Sequence, residues 1–250
     1  DVITDFINSD TVAKVDFIAS HGHTILHRPE EGVTLQIGDG AVIAEHTGIP
    51  VICDFRSQDV ALGGQGAPLV PIGDRWLFST YDYCINLGGF ANVSFEKEKE
   101  RIAFDICPVN IVLNHYTRKI GKEFDASGQL SREGTINEDL LNALNKLPFY
   151  VTLPPKSLGL EWVQKYVFPL IDSKEDTFSR ILRTFVEHSA MQIAEVVQAP
   201  SKVLYTGGGV FNTFLMERIA FYTKQRVEIS KRELINYKEA LIFAFLGDGP

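Results

Sequence analysis

The chain has 250 residues, 45% apolar and 22% charged, with 32 acidic against 24 basic residues and a net charge of −8. That is enough to bury a core as one large domain or two small ones, in an ordinary globular composition. The acidity excludes a partner gripped through its phosphate backbone, which requires clustered Lys and Arg, but it leaves room for a nucleotide at a local site. Cys53, Cys84 and Cys107 form no CxxC pair. They argue against a disulfide framework or zinc site and fit a reducing cytosol. All three lie in apolar runs and are read as small core residues. No apolar run approaches about 18 residues, so no membrane span is expected. No basic leader precedes an apolar core, so no signal peptide is expected.

Residues 1–14 form a weakly patterned helix or lead-in. Val15–Ala19 reads as a short strand. His21, His23 and His27 follow, without the cysteines or helical HExxH spacing of a metal site. They are expected to hydrogen-bond a polar ligand or one another. Glu30–Gly32 predicts a hairpin turn and Val33–Ile37 the returning strand. Asp39 predicts an N-cap for Ala41–His46, and Gly48 its C-terminal stop. Ile49–Cys53 is the next strand.

The stretch 54–71, DFRSQDVALGGQGAPLVP, is the most informative. It gathers Asp54, Arg56 and Asp59 at a strand end and passes into Gly63, Gly64 and Gly66. Such a turn predicts positive φ or close backbone approach, and functional residues concentrate on such loops. Arg56 is expected to hold a carboxylate ionised, with Asp54 its structural partner. Residues 67–78 are partly helical.

Asp82–Phe95 predicts two strands around Gly88 and Gly89, flanked by Asn86 and Asn92. A two-glycine turn can aim free N–H groups at an anion or be a plain hairpin. Glu96–Arg101 is a solvated turn, Arg101–Ile106 a strand, and Pro108–Ile120 a helix with Pro108 near its start. Residues 124–136 read as a polar loop and Asn137–Lys146 as an amphipathic helix. Ser157 is a candidate cap for the helix after PPKS (154–157), and Lys156 is read as structural or as rim charge. Asp176–Gln198 is the longest helical pattern, with His188 a core histidine. Lys202–Thr206, Gly207–Gly209 and Phe211–Tyr222 give strand, glycine turn and helix, an arrangement suited to a nucleotide. It lacks GxGxxG, so a Rossmann reading is weak. Arg226–Ile229 and Tyr237–Leu246 are a last strand and helix.

SHGHTILH (20–27), TLQIGDGAVIAEHTGIPV (34–51), residues 54–71 and GGGVFNTFLMERI (207–219) resemble the anhydro-N-acetylmuramic acid kinases, bacterial enzymes of cell-wall sugar recycling. The resemblance covers nearly the whole chain. It implies an α/β, ribonuclease-H-like (actin-like ATPase) fold with two lobes and a cleft between them. Residues 1–80 would belong to the first lobe and 81–250 to the second, the last helix packing back on the first. It implies a cytoplasmic kinase that uses ATP and Mg²⁺, with a small sugar as partner and neither nucleic acid nor membrane. A homodimer is left open.

By that resemblance Asp59 matches the catalytic base, and His21, Thr24 and Arg56 are assigned to the sugar. Gly88, Gly89 and Asn92 are assigned to the phosphates, Gly207, Gly208, Gly209 and Asn212 to the adenosine, and Asp105 and Asn110 to the nucleotide cofactor. FDICPVN (104–110) departs from the family's common FDTGPGN by two lost glycines. The family's first phosphate loop, resembling GTSLDG, has no counterpart in these residues. The first lobe is therefore expected to be incomplete, and turnover by this chain near background. Two rivals stand beside this reading: a sugar-binding sensor without catalysis, and another kinase or transferase of the same superfold.

Overall fold

The structure, a computed structural model, describes residues 2–9, 14–28, 31–64 and 66–249. Residues 10–13 of the predicted lead-in and Glu30 of the predicted turn lie outside them. Strands and helices alternate and divide into two units, residues 1–77 with 239–250 and residues 78–238.

The first unit opens with α1 (Val2–Ile7), β1 (Ile18–Ser20), β2 (His23–Arg28) and β3 (Val33–Ile37). It continues with α2 (Gly40–Thr47), β4 (Val51–Cys53), α3 (Phe55–Ala61) and α4 (Val70–Leu77). β1 and β4 pair in parallel, Ile18 opposite Val51, while β2 and β3 form an antiparallel hairpin with an irregularity after Thr24. The Asp39 carboxylate accepts from the N–H of Ala41 at 2.7 Å, and Gly48 closes α2 at φ 68°. An α3 helix stands where a strand-end loop is predicted. Its seven residues hold no Gly or Pro, and Asp54, at φ 59°, makes the turn out of β4. Asp tolerates this left-handed conformation better than most residues.

The second unit is built on β5 (Tyr83–Leu87), β6 (Phe90–Lys97) and β7 (Glu100–Pro108), an antiparallel meander. Helices α5 (Asn110–Arg118), α6 (Gln129–Glu133) and α7 (Glu138–Asn145) follow. Then come α8 (Leu160–Trp162), a π-helical turn and α9 (Phe168–Asp172). The long α10 (Phe178–Val196) leads to β8 (Val203–Thr206) and α11 (Thr213–Thr223). β8 lies parallel to β5, giving the order β7-β6-β5-β8, and Ile229 adds a parallel bridge beside Tyr205. Three antiparallel strands flanked by parallel additions on the first is the ribonuclease-H-like arrangement. One sheet face carries Ile85, Leu87 and Val93 into a core with Leu182, Phe185 and Ile193 of α10 and Leu215 and Ile219 of α11. The chain ends in α12 (Arg232–Asp248). Within the first unit its Ile242 packs on Gly73 of α4, where no Cβ would fit.

Four local expectations are corrected. Pro108 ends edge strand β7 rather than starting a helix; a residue without an N–H is tolerated at a sheet edge. Residues 124–136 are largely helical, because Asp125 accepts from the N–H groups of Leu130 and Ser131 at 2.9 Å each and from the Ser131 hydroxyl. Gly159, not Ser157, precedes α8. The 156–158 segment instead lies along the open edge of β7: the N–H of Asp105 donates to the Lys156 carbonyl and that of Leu158 to the Asp105 carboxylate. Covering an edge strand in this way blocks unwanted pairing. Cys53 is exposed, at the end of a two-stranded sheet, whereas Cys84 and Cys107 are buried.

Candidate functional site

Two constellations stand out, one in each unit. In the first, Arg56 and Asp59 lie three residues apart on α3 and so share a face. Both are tied to Gly66, which sits at φ 65°. The Gly66 N–H donates to Asp59 Oδ2 at 2.6 Å, and the Gly66 carbonyl accepts from Arg56 Nη1 at 2.6 Å. The N–H of Gly64 donates to the Asp59 carbonyl, and Gly64 lies so close to the carboxylate that a Cβ would collide with it. The glycines of this turn thus serve the carboxylate directly.

Arg56 does not pair with Asp54 or Asp59, which corrects the expected ion pair. Its Nε and Nη2 both donate to His21 Nε2, at 3.0 and 2.7 Å. A ring nitrogen that accepts from a guanidinium carries no proton, so His21 is neutral and its Nδ1–H donates to the Gly22 carbonyl at 3.1 Å. Burial and the Arg56 charge hold the His21 pKa below the usual histidine value. The other side of the ring rests on Phe243 of α12, centroids 4.4 Å apart, and Phe55 meets Phe243 edge-on at 5.2 Å. Thr24 stands apart from this cluster: its hydroxyl accepts from Gln36 across the β2–β3 hairpin.

In the second unit the strand register builds a polar row. Thr206 pairs with Asn86, Asn86 with Asn92, and Asn92 with Asp105, so all four face the same side of the sheet, opposite the core. Asn92 is exposed and Asp105 half-buried. Burial raises the Asp105 carboxyl pKa, and the bond from Leu158 opposes the rise. The Gly88–Gly89 turn does more than predicted, and differently. Its two carbonyls accept from the N–H groups of Val109, Asn110 and Ile111, capping α5, and the Gly88 N–H is spent on the Phe90 carbonyl. Asn110 Nδ2 donates to the Leu87 carbonyl.

Gly207, at φ 83°, crowds Asn86 and the Leu87 carbonyl, and Gly209 crowds Leu87. Only Gly208 of the three faces open space, with nothing within 4 Å of where a Cβ would stand. Asn212 caps α11, its Oδ1 accepting from the Leu215 N–H at 2.9 Å. Gly66 was read from the sequence as part of a glycine turn, whereas Phe243 and Thr206 were not singled out. Thr206 could have been found from the pairing of its strand with Asn86. Phe243 could not, because it reaches His21 across more than 200 residues of chain.

The family model described as anhydro-N-acetylmuramic acid kinase matches residues 1–249. An anhydro-N-acetylmuramic acid kinase of Shewanella putrefaciens is 36% identical, over 87% of this chain and 63% of its own length. One from Pseudomonas fluorescens is 39% identical, over 81% and 59%, and one from Methylobacterium nodulans 35% identical, over 95% and 64%. The chain thus spans about three fifths of the length of these curated relatives. Among solved structures, an activator of the 2-hydroxyisocaproyl-CoA dehydratase from Clostridium difficile aligns with 15% identity over 85% of this chain and 84% of that chain. The TM-score of that alignment is 0.46.

Proposed function

Because the chain belongs to the anhydro-N-acetylmuramic acid kinase family, we propose that it serves the ATP-dependent opening of 1,6-anhydro-N-acetylmuramic acid to N-acetylmuramic acid 6-phosphate in the cytoplasm. The observation that carries this reading is Asp59. Its carboxylate is half-buried, fixed by one backbone N–H and unneutralised by any cation bonded to it among the described residues. A carboxylate so held is ready to accept a proton.

In the proposed reaction Asp59 takes a proton from water as the water oxygen bonds to the anomeric carbon. The bond from that carbon to O6 breaks. O6 then bonds to the γ-phosphorus of ATP, and ADP leaves. Arg56, Thr24 and His21 belong to the sugar side. On the nucleotide side, Gly88, Gly89 and Asn92 are assigned to the phosphates, Gly207–Gly209 with Asn212 to the adenosine, and Asp105 and Asn110 to the nucleotide as a whole. The open space over Gly208 and the exposed Asn92 support that assignment. Mg²⁺ offsets phosphate charge in such transfers. Among the described residues no three His, Cys, Asp or Glu side chains gather to hold a metal.

The test is incubation of the purified full-length gene product with the anhydro-sugar and ATP, read by ³¹P NMR. A sugar 6-phosphate appearing in step with ADP is the expected result. Sugar binding without ATP consumption would replace the kinase by a sensor.

A further inference from the structure

The second unit holds a cavity of about 300 Å³ that the proposed chemistry does not use. Ser201, Lys202 and Tyr205 line one wall, and Gln225, Arg226 and Glu228, between α11 and the Ile229 bridge, line the other. Tyr205 pairs with Ile85 and sits on the core face of the sheet, opposite the polar row of Asn86 and Thr206. The cavity begins at the start of β8, whereas Gly207 follows its end. It is therefore separate from the residues assigned to the nucleotide.

Two observations point to a ligand. The first is Tyr205. Its side chain is 1% exposed, and its hydroxyl has no hydrogen-bond partner among the described residues. Buried polar groups are nearly always paired, because an unpaired one never recovers its lost hydration. Burial raises the phenol pKa, so the group is a protonated donor. The second is charge. Among the described residues no ion pair or hydrogen bond closes on the Lys202 ammonium or the Arg226 guanidinium, although the Glu228 carboxylate lines the same cavity. The backbone around them is held. The Lys202 N–H donates to the Asp82 carboxylate at 2.7 Å, and the Ser201 N–H donates to Gln225 Oε1 at 3.1 Å, tying the two walls together. The scaffold is fixed and the cations are free.

Two cations on separate walls match a phosphate ester, which carries roughly two negative charges and three strong acceptor oxygens. A carboxylate would be satisfied by the Arg226 fork alone. Glu228 only accepts hydrogen bonds, so it suits the hydroxyls of a sugar and repels a second acid group. The volume stands at the small end of ligand sites. We propose that this cavity binds a small sugar phosphate, its phosphate between Lys202 and Arg226 and its hydroxyls toward Glu228, with the Tyr205 hydroxyl donating to a ligand oxygen. The inference does not rest on the proposed function. The two meet in one consequence: the product of the proposed reaction belongs to the class of molecule this second site takes.

The experiment is calorimetry of the full-length gene product, with ADP present to fill the nucleotide side, against glucose 6-phosphate, glucose, inorganic phosphate and gluconate. Glucose 6-phosphate is expected to bind at least about tenfold tighter than each of the others. Arg226→Gln and Lys202→Gln should each weaken it by about tenfold or more, the range of a hydrogen bond to a charged group, and leave ATP-dependent turnover unchanged. Tyr205→Phe should weaken it by about 2- to 10-fold. Because the hydroxyl is unpaired in the free protein, that variant should not lower the Tm measured without ligand. Failure of glucose 6-phosphate to bind would overturn the inference, as would its displacement by ADP. Inorganic phosphate or gluconate binding as tightly would overturn the sugar phosphate assignment. An Arg226→Gln variant of native circular dichroism that keeps full affinity would remove the cavity as the site. A Tyr205→Phe protein that melts several degrees lower without ligand would show the hydroxyl already paired, and the argument from it would fail. None of these outcomes bears on the kinase reading, which the ³¹P NMR test decides separately.

Discussion

The two constellations use glycine and polar residues in opposite ways. In the second unit the turn at Gly88 and Gly89 caps α5, Asn212 caps α11, and Gly207 and Gly209 are small because Asn86 and Leu87 leave no room. Most of what looks like a ligand loop is spent on the protein itself. In the first unit the reverse holds. Gly64 and Gly66 press on a carboxylate, and the neighbouring guanidinium keeps donors unspent. A glycine-rich motif therefore does not reveal its employer. The question is whether the groups around each glycine are satisfied without a ligand.

The largest expected effect tests the first unit. Asp59→Asn in the full-length gene product should keep the fold and sugar affinity and cut kcat by about 10²- to 10⁴-fold, as loss of a general base does. Normal turnover would remove Asp59 from the chemistry.

The next tests the self-sufficiency of the second unit. Glu187 is fully buried and joins Arg183 of its own helix to Arg218 of α11, at 3.0 and 2.8 Å. Removing one member of such a group leaves charge uncompensated, so Glu187→Ala should cost about 3 kcal/mol in a urea titration. A loss below about 1 kcal/mol would mean that solvent already shares the arginines.

His188 gives a pH-dependent version. It is fully buried, hydrogen-bonded to Tyr150 and Asn145, and burial pushes its pKa down to about 3. The folded state resists a proton that the unfolded chain accepts near 6.5. Its contribution is thus full above that value and lost as pH falls from about 6.5 toward 3, by up to about 1.4 kcal/mol per pH unit. His188→Gln should flatten this part of the stability–pH curve.

The glycine pair is the finest test. Gly209→Ala should destabilise by about 1–3 kcal/mol through overpacking on Leu87. Gly208→Ala should change stability by no more than about 0.5 kcal/mol while weakening ATP binding. An unchanged ATP affinity would mean that the open space over Gly208 is not where the nucleotide lies.

Elements whose signal is local were legible in the sequence. Asp39 and Gly48 bounded α2, the amphipathic pattern from Asn137 located α7, and the strand-like runs on either side of Gly88 and Gly89 located β5 and β6. The errors arose where a distant partner decides. Asp54, Arg56 and Asp59 suggested an ion pair because they are near in sequence, but His21 and Gly66 claim the guanidinium instead. Residues 124–136 look polar enough for a loop, yet the Asp125 carboxylate organises them. Ser157 has the chemistry of a cap but sits in a segment recruited to the edge of β7. Each misreading traded a local rule for a contact that only the fold supplies.

The double use of Gly66 has a consequence for how this site can diverge. One residue holds the Asp59 carboxylate by its N–H and the Arg56 guanidinium by its carbonyl. A descendant that alters position 56 cuts one of the turn's two moorings, and the remaining one belongs to Asp59. Positions 56 and 59 are thus inherited as a linked pair. A lineage that replaces Arg56 would have to re-anchor Gly66 at the same time, and insertions beside Gly66, rather than single replacements on α3, should mark such branches.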